Sequence, residues 1–130
     1  MRVALDTNIL LALWKGEDSA EALAARLQPH SLLVCGPVVG ELLPFTPDAE
    51  PLLTDMGLAL DWSFPRAAWL RAGQAHAAYT ARRRTSGGTL PRRVLTDHLI
   101  GAHAVTLGLP LVTLNGSDYS DFPELTVVVP

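Results

Sequence analysis

The sequence predicts an α/β fold in which a parallel sheet is covered by helices on both faces. Three observations predict it. Short apolar runs that read as buried strands alternate with longer stretches at helical spacing. The 130 residues are 48% hydrophobic and only 18% charged, enough apolar mass for a single compact domain over residues 1–130. Finally, carboxylates sit beside several of the apolar runs, where a charge is costly unless it has a task or a partner.

The elements follow in order. Val3–Leu5 is an apolar run ending at Asp6, the pattern of a buried strand whose last residue emerges at the carboxyl edge. Thr7 and Asn8 favour a helix start, and Ile9–Trp14 carries the helix to Lys15 and Gly16. Asp18 or Ser19 caps a second helix, with Ala20, Leu23, Ala24 and Leu27 at helical spacing and Pro29 ending it. Ser31–Cys35 reads as the second strand. Gly36 and Pro37 open a third helix with Glu41 in its second turn, since proline suits the first helical position. Pro44 and Pro47 interrupt the chain before a fourth helix over Asp48–Met56 and a third strand over Leu58–Trp62.

Pro65–Arg84 is the longest helical stretch, with Ala68, Trp69, Ala72, Ala75, His76 and Tyr79 on neighbouring faces. Thr85–Leu90 is predicted to be a flexible loop around Gly87 and Gly88. A further helix over Val94–Leu107 carries Asp97 in its first turn and ends at Gly108. Leu111–Leu114 is the fourth strand, Asn115–Tyr119 a turn and Thr126–Val129 the fifth strand.

Composition excludes several classes. No apolar run approaches the ~18 residues that span a membrane. The opening M-R-V-A-L-D enters a strand at once and lacks the features of a signal peptide, so a cytoplasmic protein is expected. The lone Cys35 rules out an internal disulfide and any cysteine cluster for metal, and its apolar setting makes it a small core residue. There is no phosphate-binding glycine loop, dinucleotide fingerprint or serine nucleophile elbow. The absence of a second acid two residues after Asp6 counts against an aspartyl-phosphate phosphatase.

Four acids carry the functional signal: Asp6, Glu41, Asp97 and Asp118. Ligands of parallel sheets collect beyond the carboxyl ends of the strands, and Asp6 and Asp118 follow strands one and four. Glu41 lies on the helix after strand two, Asp97 on the helix that feeds strand four. Carboxylates about 4 Å apart repel by about 4 kcal/mol at an effective dielectric near 20, so a cluster calls for cations or protons. Oxygen ligands of this type suit Mg²⁺ or Mn²⁺. Each acid also has a local alternative: Asp97 follows Thr96 and could cap its helix, and Asp118 could form an Asx turn. Glu41 is the exception, because its helix is otherwise apolar and no Lys or Arg is near in sequence; its alternative is a satisfied buried acid.

The residues V-A-L-D-T-N (Val3–Asn8), V-V-G-E-L (Val38–Leu42), T-D-H-L-I-G-A-H-A (Thr96–Ala104) and L-V-T-L-N-G-S-D-Y (Leu111–Tyr119) together resemble the PIN domain in order and spacing. In length and layout the chain is similar to the VapC-type toxin ribonucleases of that family. The resemblance implies a three-layer α/β/α sandwich whose parallel five-stranded sheet has the order 3-2-1-4-5. It also implies Mg²⁺- or Mn²⁺-dependent hydrolysis of RNA by an activated water, a cognate antitoxin and a homodimer. By the same resemblance Asp6 and Asp97 are the principal metal ligands, Glu41 binds or orients a water, and Asp118 completes the acidic set. Thr7 and Thr113 match hydroxyl-bearing helpers. Relatives commonly carry an acid where this chain has Asn115, which assigns the fourth charge to Asp118.

Of the ten basic residues, Arg82, Arg83, Arg84, Arg92 and Arg93 fall in one window and are candidates for RNA phosphate contacts; a solvated helix end is the alternative. His98 and His103 accompany Asp97 on its helix and are candidates for a general base, with helix-surface or packing roles favoured because adjacent residues point about 100° apart; His30 and His76 have no partner motif. Asp48, Asp55, Asp61, Asp121 and Glu124 read as solvated or capping acids. Leu11, Trp14, Leu42, Leu43 and Pro44 offer an apolar groove for an antitoxin segment. Two other readings remain open: a nuclease of RNA processing rather than a toxin, and a PIN module that binds RNA or protein with little catalysis.

Overall fold

The computed structural model describes residues 1–16, 18–85, 87 and 95–130. Five strands form one parallel sheet: β1 (Arg2–Leu5), β2 (Ser31–Cys35), β3 (Ala59–Asp61), β4 (Leu111–Val112) and β5 (Val127–Val128). Their order across the sheet is β3-β2-β1-β4-β5, as the sequence resemblance implied. Six helices cover it: α1 (Thr7–Lys15), α2 (Asp18–Leu27), α3 (Gly36–Leu42), α4 (Ala49–Asp55), α5 (Arg66–Thr85) and α6 (Leu95–Leu107). No helix among the described residues is long and apolar enough to cross a membrane.

Several element boundaries differ from the expectation for local reasons. Asp6, rather than Thr7 or Asn8, is the N-cap of α1: its backbone is extended and its carboxylate accepts from Thr7 N. Lys15 in the last turn and Gly16, left-handed at φ 64°, close that helix. Strand β4 keeps only two residues, because Thr113 turns its side chain to the end of β1 and Gly116–Tyr119 winds into a 3₁₀ turn. The predicted loop over Thr85–Leu90 falls largely outside the described residues, as do Val94 and the two candidates Arg92 and Arg93.

The core runs through the sheet. Leu5, Leu33, Val34 and Leu111 are fully buried in it, with Ile9 and Leu10 of α1 and Val38 and Leu42 of α3 packed against it. Leu42 therefore belongs to the core and not to an apolar groove. Helix α5 buries Ala68, Ala72, Ala75 and Tyr79, one stripe at helical spacing, against α6. Helix α6 is buried on several faces, and Gly101 gives it room for the Phe122 ring: a Cβ there would lie 2.5 Å from Phe122 Cε2.

The segment after the 3₁₀ turn is tied to α5 by ions. Arg71 donates to both carboxylate oxygens of Glu124 at 2.9 Å and to the Asp121 carbonyl at 2.8 Å, and its guanidinium lies over the Phe122 ring. The Arg71 hydrogen bond is the main reason the Glu124 carboxyl is held down to about 2. The pair is partly exposed, so its effect on stability is modest.

Two outcomes follow for stability. Gly101→Ala should destabilise the fold by about 1–3 kcal/mol in chemical denaturation, the usual result of overpacking against a buried ring; an unchanged midpoint would contradict this packing. The depressed Glu124 pKa contributes stability that is present above about pH 4.5 and lost as pH falls through about 2. Glu124→Gln should flatten that part of a stability-versus-pH curve relative to the parent, and identical curves would remove the linkage.

Candidate functional site

Asp6 leaves β1 at the carboxyl edge, its backbone N–H donating to the Val112 carbonyl at 3.0 Å, and its side chain is only 6% exposed. A carboxylate so buried requires donors. Asp6 Oδ1 accepts from Thr7 N at 2.7 Å. Asp6 Oδ2 accepts from the Thr113 hydroxyl and the Tyr119 phenol, both at 2.7 Å. Hydrogen bonds to an ionised acceptor are among the stronger ones in proteins.

The donors are themselves held in place. Thr113 Oγ1 accepts from Asn8 Nδ2 at 3.2 Å and from Asn115 N at 3.1 Å. Asn8 Oδ1 accepts from Leu114 N at 3.1 Å, so the first turn of α1 is clamped to the exit of β4. On the other side, the Thr7 hydroxyl donates to Glu41 Oε1 at 2.6 Å. The acid of α3 is thereby fastened to the residue beside Asp6.

Tyr119 joins the remaining acids to this frame. Burial first, then the Asp6 charge and hydrogen bond, and then the charges of Asp97 and Asp118, push its phenol far above the ordinary tyrosine range. It consequently stays protonated and remains a donor. Asp97 in the first turn of α6 and Asp118 in the 3₁₀ turn, both half-buried, are close enough for their charges to act on it. The structure thus brings Asp6 and Glu41 together through Thr7, and places Asp97 and Asp118 around Tyr119.

The acids do not form a closed cage. Among the described residues, no three His, Cys, Asp or Glu side chains are grouped closely enough to grip a metal ion by themselves. The donor chemistry nevertheless fits a hard cation. The side chains that meet around Asp6 (Thr7, Asn8, Glu41, Thr113 and Tyr119) present oxygen or amide nitrogen, and Mg²⁺ uses only one or two carboxylates directly while keeping waters. Among the described residues Asp6 Oδ1 accepts one hydrogen bond, from Thr7 N, which leaves it a lone pair for a ligand.

Other sequence candidates stand elsewhere. Arg82 is engaged with Asp121, donating from both terminal nitrogens to its carboxylate, so a phosphate would have to compete with that pair. Arg83 is half-buried and Arg84 exposed at the end of α5. His98 and His103 are both buried. His98 Nδ1 lies 3.0 Å from His76 Nδ1, and His103 Nε2 lies 2.9 Å from Asp61 Oδ2. Burial works against the Asp61 charge, but the His103 hydrogen bond, the Ser63 N–H and the His103 charge outweigh it and hold the carboxyl below its usual range. Asp61, Asp121 and Glu124 are therefore paired acids. Cys35 is a core thiol that burial pushes up to about 11.

Tyr119 is the partner of Asp6 that sequence reasoning did not single out. Its signal was the D-Y ending of the last motif: an aromatic with a polar tip, next to an acid, in a short turn. Tyr119→Phe should lower stability by about 1.5–3 kcal/mol, the range for a hydrogen bond to a charged group. Thermal denaturation would measure it, and a change below about 0.5 kcal/mol, typical of neutral surface substitutions, would remove Tyr119 from the frame.

The family model described as PIN domain matches residues 3–125. No curated protein matches the sequence. Among solved structures, the chain is similar to VapBC2 from Rickettsia felis bound to a DNA fragment from their promoter, with TM-score 0.67, 21% identity and 98% of each chain covered. It is similar to VapBC-1 from nontypeable Haemophilus influenzae with TM-score 0.66 and 20% identity, over 98% of this chain and 97% of that one. A toxin–antitoxin complex from Klebsiella pneumoniae gives TM-score 0.63 and 20% identity over the same shares. At these identities the likeness is one of fold.

Proposed function

The chain belongs to the PIN-domain family, and from that premise we propose that it is a divalent-metal-dependent endoribonuclease, the toxin of a VapBC-like toxin–antitoxin pair. The observation that carries the reading is the buried Asp6 carboxylate at the carboxyl end of the central strand, held by Thr113 and Tyr119, with Glu41 tied to its neighbour Thr7 and the charges of Asp97 and Asp118 felt at Tyr119.

Asp6 and Asp97 would hold the cation, Mg²⁺ or Mn²⁺, with Glu41 and Asp118 completing the set partly through water. When bound, the cation neutralises the phosphodiester and lowers the pKa of an attacking water. The protein's own part is orientation. Thr113 and Tyr119 fix Asp6 Oδ2, and Thr7 N fixes the carboxylate plane. Thr7 Oγ1 occupies Glu41 Oε1 and leaves Oε2 to position water. Asn115 supplies its backbone N–H to Thr113, a supporting role that needs no acid at that position.

The antitoxin is proposed from the likeness to the Klebsiella toxin–antitoxin complex. An apolar hollow lined by Leu11, Trp14, Lys15, Phe45, Thr46 and Leu52 offers one place for such a chain. A homodimer in the cytoplasm is part of the same proposal.

Purified protein should cut single-stranded RNA with Mg²⁺ or Mn²⁺ and stop in EDTA. Asp97→Asn and Asp6→Asn should abolish cutting with the circular dichroism spectrum retained. Tyr119→Phe should slow cutting about 10–100-fold, as loss of a ligand's supporting partner does. Cutting that survives chelation, or survives Asp97→Asn, would reject the mechanism.

A further inference from the structure

The acidic end of the sheet continues into an aromatic surface. The register pairs Ala4 with Leu33 and Leu33 with Ala59. Two residues further along, Asp6, Cys35 and Asp61 form one row at the carboxyl edge. The Cys35 thiol feels the charges of both Asp6 and Asp61, which agrees with that row. With neighbouring strands about 4.8 Å apart, Asp61 lies about 10 Å from Asp6.

Aromatic rings extend outward from that point in a braced series. Asp61 holds the buried His103 ring, which stacks on Phe64 at 6.1 Å between centroids with 27° between planes. Phe64 in turn meets Trp69 edge-on at 4.9 Å and 61°. Trp62, the residue after Asp61, packs over Gly36 at the start of α3, 3.6 Å from where a Cβ would stand. Yet Trp62 is 57% exposed and Trp69 52%. Exposed Arg66 lies one turn before Trp69 on α5. Large rings fixed at their base and open to solvent are a costly surface without a ligand.

We propose that Trp62, seated over Gly36, and Trp69, braced by Phe64, form a stacking platform for unpaired nucleobases of an RNA strand whose backbone passes the acidic end. The proposal rests on the nuclease reading and adds how the strand is held. Indole faces accept any base, so the platform selects for single strands rather than for sequence. A paired duplex keeps its base faces stacked inside and cannot use it. The row from Asp6 to Asp61 sets the bound bases a few nucleotides from the scissile phosphate, and Arg66 supplies a cation for the backbone beside them. These positions favour nucleic acid over a protein partner, because the surface is continuous with the proposed centre of phosphodiester chemistry.

The test uses the intrinsic fluorescence of the platform. The chain has three tryptophans, so Trp14→Phe leaves Trp62 and Trp69 as the only reporters. In an Asp97→Asn background with Mg²⁺, a single-stranded oligoribonucleotide should quench that fluorescence saturably, and its duplex should not. Trp62→Ala and Trp69→Ala should each weaken binding about tenfold, within the range for loss of a stacked base. Trp62→Phe and Trp69→Phe should retain most of the affinity, which separates stacking from a folding defect. No quenching by the single strand, or unchanged affinity in both alanine variants, overturns the platform. Alanine variants that bind RNA normally but no longer self-associate in sedimentation also overturn it, by assigning the surface to a protein contact. The two readings fail separately. Quenching and tenfold losses in a protein that cuts no RNA with either metal would remove the nuclease and keep the platform. Normal cutting with an unchanged KM in the tryptophan variants would do the reverse.

Discussion

A carboxylate buried at the end of the central strand organises this molecule. Asp6 is almost inaccessible, so its charge must be met by protein donors or by a ligand. The donors come from distant parts of the chain: the start of α1, the exit of β4 and the 3₁₀ turn. Satisfying one charge therefore fixes the mutual position of three segments. Asn8 and Asn115 then converge on Thr113, and Glu41 on Thr7, as consequences of the same frame. Removing the Asp6 side-chain oxygens would leave Tyr119 and Thr113 without the acceptor that explains their burial.

The sheet order explains why this carboxylate stands at the end of the sheet where ligands of parallel folds collect. From β1 the chain winds outward through β2 and β3, and then returns to lay β4 on the other side of β1. The crevice where the winding reverses lies beyond β1 and β4, the place where open parallel sheets bind ligands. Asp6 follows β1, and Thr113 and Tyr119 reach its carboxylate from the exit of β4 and the 3₁₀ turn. Helix α6, which feeds β4, brings Asp97 with it. On the opposite side of β1 the row through Cys35 to Asp61 leads to Trp62 and Trp69. One edge of the sheet thus has Asp6 at its centre and exposed tryptophans on one flank.

Much of this was legible in sequence because it is local. The run Val3–Leu5 ending in an acid, proline at the start of α3 and the apolar stripe of α5 each carry their own periodicity or capping signal. The family motifs supplied the strand order. What sequence could not show is pairing across long separations: Tyr119 with Asp6, His103 with Asp61 and Arg82 with Asp121 have no signature at either end. Leu42 read as groove lining because an apolar helix looks the same from either face, and the packing of α3 decided which face was buried. Asp6 as the cap of α1 was hidden by Thr7 and Asn8, which are equally good capping residues. The acids were visible as a set only through motif order, since each alone had a local alternative.

The central claim is that the frame around Asp6 exists to hold a divalent cation at the carboxyl edge. Mn²⁺ binding followed by electron paramagnetic resonance, in the absence of RNA, tests it most directly. The account predicts saturable binding by the native chain and its loss in Asp6→Asn, with Trp62→Ala binding as the native chain does. Equal Mn²⁺ binding by the native chain and Asp6→Asn, or none by either, would contradict it.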